Sequence, residues 1–151
     1  MGEETRRVLV DTYAIIADLT GQVTPKARQL LEEIRLGVAE GVLHYLIIYE
    51  LFYHWRRGRL PFRDEEELLD FVNSYFIVKA LDTTIAIKAS EVKLLGDRLL
   101  VAASNPRLRR RRLSVADATT IAIAKVENMP IVTGDIDLSY VAKNLGVSII
   151  W

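Results

Sequence analysis

The sequence has no cysteine. That excludes disulfides, thiolate metal centres and a thiol nucleophile. Histidine is scarce as well: only His44 and His54 occur, too few for a histidine-rich zinc site. Charge of one sign is missing overall, because 20 Lys+Arg balance 20 Asp+Glu. A globally basic or acidic protein is thereby excluded, although a local patch is not. Long apolar runs are absent too; stretches such as Tyr45 to Tyr49 are far too short to span a bilayer. The N-terminus, Met1 to Arg7, is charged and is not followed by a signal-type core. What remains is a chain that is 50% hydrophobic, too apolar for disorder. Its 151 residues predict one domain, residues 1–151, in a cytoplasmic protein.

Short apolar runs alternate with amphipathic segments. Val8-Leu9-Val10 reads as a buried strand ending at Asp11-Thr12, and a helix from Tyr13 to Leu19 follows. Thr24-Pro25 opens a second helix, with Ala27, Leu30, Leu31, Ile34 and Val38 at helical spacing. Leu43 to Ile47 is the second strand candidate. It leads into a helix that carries Ile48, Leu51, Phe52 and Trp55 on one face and stops at Arg56-Arg57-Gly58. Asp64 and Glu67 have capping-box spacing and start a helix to about Asn73. Phe76-Ile77-Val78 is a third strand, and Thr83 or Thr84 is expected to cap the helix after it. Ser114 opens an Ala- and Ile-rich helix to Asn128, Pro130 to Thr133 is a fourth strand, and Val147 to Ile150 is the last. This alternation predicts an α/β fold with a parallel sheet covered by helices on both faces.

In open α/β sheets, ligands bind beyond the carboxyl ends of the strands, where the strand order reverses. Acidic residues fall at that rim. Asp11 follows the first strand, and Asp135 and Asp137 follow the fourth. Glu50 lies off the apolar face of its helix, and Asp117 lies in the first turn of its own. Gathered carboxylates repel unless a cation neutralises them. An all-oxygen set suits Mg²⁺ or Mn²⁺, which lower the pKa of bound water and stabilise phosphoryl charge. Each residue also has a plain structural reading. Ser114–Asp117 has the spacing of a capping box, Asp11 and Asp137 can cap helices, and Asp135 can sit in a turn. The set in this order is what points to phosphodiester hydrolysis.

Four motifs resemble those of the PIN-domain family, and most closely its small VapC-type toxins. Val8-Leu9-Val10-Asp11-Thr12 is similar to the family's opening strand and first acidic residue, and Tyr49-Glu50-Leu51 to its second motif. Ser114-Val115-Ala116-Asp117-Ala118 resembles the third, and Ile131-Val132-Thr133-Gly134-Asp135-Ile136-Asp137 the fourth. The resemblance implies a three-layer sandwich around five parallel strands in the order 3-2-1-4-5. It implies a Mg²⁺- or Mn²⁺-dependent endoribonuclease whose acidic quartet is Asp11, Glu50, Asp117 and Asp135. Asp137 is a further metal-ligand candidate, and Thr12 and Thr133 are supporting residues. A homodimer and, for toxin members, a small antitoxin protein are also implied. The chain departs from the pattern in three places. Leu138 stands where Phe is frequent, His44 to Tyr49 holds neither Ser nor Thr, and an unusually dense Arg run precedes the third motif.

That run, Arg107, Arg109, Arg110, Arg111 and Arg112, suits RNA phosphates through bidentate contacts and counterion release. A solvated loop and a dock for an acidic partner are the other readings. Arg56, Arg57 and Arg59 form a weaker second cluster. His44 and His54 read as structural, and Leu51, Phe52 and Trp55 as core or dimer surface. The rival to a nuclease is a non-catalytic PIN-like module that binds RNA or protein. A phosphatase is a third reading, weakened because Tyr13, not a second Asp, follows Asp11 at two residues.

Overall fold

The computed structural model describes residues 4–151; residues 1–3 of the charged N-terminus lie outside it. The strands are β1 (Arg7–Val10), β2 (Glu40–His44), β3 (Phe76–Lys79), β4 (Ile131–Val132) and β5 (Ile149–Ile150). All pairings are parallel, in the order β3-β2-β1-β4-β5. The helices are α1 (Thr12–Leu19), α2 (Pro25–Arg35), α3 (Tyr45–Arg56), α4 (Glu65–Tyr75), α5 (Thr83–Val101), α6 (Pro106–Arg109), α7 (Val115–Glu127) and α8 (Ile136–Asn144).

Side-chain alternation along the strands divides the core in two. Leu9, Val42 and Ile131 point to the face packed by α5, α7 and α8, together with Leu108 and Leu113. Val8, Val10, Leu43 and Val132 point to the opposite face, covered by α1, α2, α3 and α4. The result is the expected helix–sheet–helix sandwich. Only the edge is thinly covered, since Ile77 and Val78 of β3 are exposed.

Three local expectations need correction. The strand predicted over Leu43 to Ile47 ends at His44, and Tyr45 begins α3. The cause is His44 itself, whose Nδ1 accepts from the Leu46 backbone N–H and caps the helix. An apolar run of that length does not distinguish a strand from a buried helical turn. The cap of α5 is Asp82, which accepts from Ile85 N–H at 2.9 Å, rather than Thr83 or Thr84. The arginine run is not a solvated loop throughout. Asn105 caps the single turn of α6, whose Leu108 is buried, and Leu113 closes the segment into the core. From α5, Asp97 accepts from Leu113 N–H and Lys93 donates to Leu113 O. Gly96 leaves the space that Leu113 fills; a Cβ there would lie 2.7 Å from Leu113 Cδ2.

Candidate active site

The strand order reverses between β1 and β4. Leu9 pairs with Ile131 and Val10 with Val132, which brings Asp11 and Thr133 level just beyond the sheet. Asp11 stands at the N-cap position of α1 but makes no side-chain cap. The capping reading of Asp11 therefore fails. Its Oδ2 accepts from Thr133 Oγ1 at 2.8 Å, and Thr133 Oγ1 in turn accepts from Asp135 N–H at 3.1 Å. On the next helix, Thr12 Oγ1 donates to Glu50 Oε1 at 2.9 Å. The two supporting threonines thus tie the loops after β1 and β4, and helices α1 and α3, into one rim.

Asp117 enters this rim from α7. Ser114 Oγ accepts from Asp117 N–H at 3.0 Å, so the residue's backbone serves the cap while its carboxylate faces the acidic pocket. Asp135 is the residue that caps α8, accepting from the N–H groups of Asp137 and Leu138 at 3.0 Å. The capping reading of Asp137 is corrected accordingly. Asp137 instead lies on the pocket wall, with Oδ2 3.2 Å from the Arg111 guanidinium. Its Oδ1 is buried and meets no donor among the described residues.

The electrostatics separate these five acids. Burial raises the Asp11 carboxyl to about 7, and the nearby Glu50 and Asp135 charges add to the effect against the lowering bond from Thr133. Asp117 is raised to about 8 by burial first, then by Asp11, Asp135 and Glu50. Glu50 is raised by burial and by Asp135. Asp137 is raised by burial and feels Asp135, but Arg111 opposes the rise. Asp135 therefore acts on Asp11, Glu50, Asp117 and Asp137 alike, and Asp137 differs in being held by an arginine. Asp11, Glu50, Asp117, Asp135 and Asp137 all line one cavity of about 470 Å³.

The arginines divide as well. Arg112 reaches the cavity wall, Arg111 holds Asp137, and Arg109 donates to the carbonyls of Ala103 and Ser104. Arg107 and Arg110 are exposed and make no side-chain bond among the described residues. His44 is fully buried, and its surroundings fix its tautomer. Nδ1 accepts from Leu46 N–H, so Nε2 carries the proton and donates to Thr120 Oγ1 at 2.8 Å. Burial lowers its pKa to about 4, which keeps it neutral and structural. His54, read from sequence as structural, lies on the cavity wall. Tyr13, Gln22 and Trp151 also have places at or beside the site that the sequence reading did not assign. Tyr13 and Gln22 line the cavity, and the Trp151 ring packs edge-on to Tyr13 at 5.5 Å. The available signal was the helical spacing of Tyr13, Ala17 and Thr20 directly after Asp11.

The PIN domain profile matches residues 8–144. No curated protein sequence matches the chain. Several solved structures share the fold at low identity. FitAcB from Neisseria gonorrhoeae is 16% identical over 94% of this chain and 95% of its own, with a TM-score of 0.59. PAE2754 from Pyrobaculum aerophilum is 20% identical over 96% and 89%, with a TM-score of 0.57. VapBC2 from Rickettsia felis, bound to a promoter DNA fragment, is 14% identical over 95% and 96%, with a TM-score of 0.61. With the profile spanning most of both cores and all five carboxylates, the chain belongs to the PIN-domain family, whose members are generally nucleases.

Proposed function

We propose that this chain is a Mg²⁺- or Mn²⁺-dependent endoribonuclease acting as one domain over residues 1–151, and the toxin of a toxin–antitoxin pair. One observation carries the reading. Asp11 is buried and Asp117 half-buried in the company of Glu50 and Asp135, and their carboxyls are raised to about 7 and about 8. Carboxylates held together at such a cost call for a cation to neutralise them.

The donor chemistry fits a hard divalent ion, since all the charged donors are carboxylate oxygens. Among the described residues, no three of these side chains close on one point as a finished ligand cage. Mg²⁺ suits such a site, because it is commonly held by one or two carboxylates and keeps several waters. Asp11, Glu50, Asp117 and Asp135 would hold the ion between them, one or two directly and the others through its waters, with Asp137 as an outer ligand. When bound, such an ion supplies activation of water and charge stabilisation at the phosphoryl group.

The chain's own residues do the rest. Thr133 orients the Asp11 carboxylate, and Thr12 orients Glu50. Arg112 at the cavity wall offers a guanidinium to a phosphate oxygen, a bidentate match. Arg107 and Arg110 extend that positive edge outward for more distant phosphates. PIN nucleases typically use divalent metals, which supports the metal assignment.

Neighbours such as a toxin-antitoxin complex from Klebsiella pneumoniae support a small antitoxin partner. An apolar groove lined by Leu46, Leu81, Ile85, Ala89, Val115 and Ala118 offers a face for a homodimer. Among the described residues, no helix is long and apolar enough to cross a membrane. The test is cleavage of single-stranded and structured RNA with Mn²⁺ or Mg²⁺ and with excess chelator. Metal-dependent cleavage is expected. RNA binding without turnover in either metal would instead favour a non-catalytic module.

A further inference from the structure

The acidic cavity has a second half that metal binding leaves unused. Beyond Asp11, one wall runs along α1 through Tyr13, Ile16, Ala17 and Thr20 to Gln22, and His54 of α3 also lines the cavity. This half is uncharged on the α1 side and apolar in its middle, with hydrogen-bonding groups at its far end. The whole cavity, about 470 Å³, lies within the range of small-molecule sites, roughly 300–1,000 Å³. We infer that this half is a nucleobase subsite, which receives one unpaired base of the strand whose phosphate lies at the carboxylates.

The fit is chemical at each point. Tyr13 is 46% exposed, which leaves its side chain accessible to a base. Its orientation is fixed from behind, because Trp151 packs against it at 75° between ring planes. Trp151 is itself seated on Gly134, where a Cβ would lie 2.4 Å from the indole. Residue 151 lies one residue beyond β5 and outside the stretch matched by the family profile. Base–aromatic stacking tolerates every base, because each has a π-face. Discrimination would come from the polar end. The Gln22 side chain makes no hydrogen bond among the described residues, so its amide is free to pair as donor and acceptor with a base edge. Arg59 Nη1 donates to His54 Nδ1 at 3.2 Å, which leaves the proton on Nε2. Burial and the two neighbouring guanidiniums, Arg59 and Arg57, push the His54 pKa below its usual value and so favour the neutral ring. His54 thus presents a donor without adding charge.

Stacking also requires the base to be out of a helix. The subsite therefore directs the enzyme toward unpaired nucleotides, in loops or single strands. It rests on the reading that the carboxylates receive a phosphodiester.

The test compares the four ribonucleoside 5′-monophosphates with ribose 5-phosphate, titrated in Mg²⁺ against the wild-type chain and followed by NMR chemical shifts. At least one nucleotide should bind about tenfold or more tighter than ribose 5-phosphate, as expected for one stacked base. Tyr13→Ala should abolish most of that advantage. Gln22→Ala, at an exposed position, should flatten the preference among bases while the variant stays folded. Ribose 5-phosphate binding as tightly as every nucleotide would overturn the proposal. So would an advantage that survives both substitutions, or no detectable binding of any nucleotide at millimolar concentration. RNA cleavage separates the two readings. Metal-dependent cleavage without any nucleotide preference removes the subsite and keeps the nuclease. Nucleotide preference without cleavage removes the nuclease and keeps the subsite.

Discussion

Replacing Asp11 by asparagine tests the carboxylate cluster most directly. Asparagine keeps the shape and can still accept the Thr133 hydroxyl. No helix cap is lost, because Asp11 provides none. What changes is the charge. The Asp11 carboxyl rises from 3.8 to about 7 on folding, chiefly through burial. A raised carboxyl favours the folded state fully below the unfolded pKa, and that advantage is lost as pH rises toward the folded pKa. Each unit corresponds to about 1.4 kcal/mol, so ionising Asp11 in the metal-free protein costs up to about 4 kcal/mol above pH 7. Asp11→Asn removes this cost. Its stability advantage over wild type should be near zero at pH 4, grow by about 1.4 kcal/mol per pH unit, and level off above pH 7. At roughly 2–4 °C per kcal/mol for a chain of this size, the difference at pH 8 is readily seen in a melting curve. Added Mn²⁺ should reverse the order: wild type gains melting temperature in proportion to the logarithm of metal over Kd, and the variant gains less. Urea unfolding from pH 4 to 8 with chelator, and melting with Mn²⁺, read both arms. A pH-independent difference together with equal Mn²⁺ shifts would show that Asp11 is not part of a charged cluster.

The remaining predictions reach other parts of the site and scaffold. Asp135→Asn should keep α8 capped but lose the Mn²⁺ response and cleavage, whereas Asp135→Ala should additionally cost about 1 kcal/mol of stability by urea titration. Gly134→Ala should destabilise by roughly 1–3 kcal/mol, since its Cβ meets the Trp151 indole, and should cost less in a Trp151→Ala background. Arg107→Ala with Arg110→Ala should weaken RNA binding and lower its log–log salt slope by about 0.7 per lost contact on single strands. His44, lowered to about 4 by burial, should give the reverse pH profile to Asp11. Its contribution is present above pH 6.5 and is lost as pH falls toward 4, so His44→Gln should flatten the acid side of the stability curve.

Much of the architecture was legible because buried strands and capped helices leave strong local signals. Val8 to Val10 could only be a buried run, and Ser114 and Thr24 cap their helices as their spacing predicts. The strand order came from the family resemblance, and the parallel pairings observed here match it. The misread boundaries have local causes. His44 serves as last strand residue and helix cap at once, a dual role that residue type alone does not announce. Asp82 outcompetes Thr83 and Thr84 because its carboxylate reaches Ile85 N–H. In the arginine run, long-range contacts decide the structure: Lys93, Gly96 and Asp97 of α5 seat Leu113, and nothing near the arginines in sequence signals them.

The division of labour between Asp135 and Asp137 shows most clearly where sequence reasoning runs out. Both stand in one short motif, two residues apart, with the same side chain. The start of α8 between them sets them apart. Asp135 is the N-cap of α8, so its carboxylate is held at the mouth of the helix, from where its charge raises the carboxyls of Asp11, Glu50 and Asp117. Asp137 is already in the first turn, rotated toward Arg111. Arg111 is delivered there by the α6–α7 segment, which α5 clamps through Leu113. The choice between two adjacent acids is therefore made by a helix some forty residues earlier in the chain. Asp137→Asn should accordingly release Arg111 and change Mn²⁺-induced stabilisation less than Asp135→Asn does. A larger loss from Asp137→Asn would invert the assignment and place the outer acid at the centre of the site.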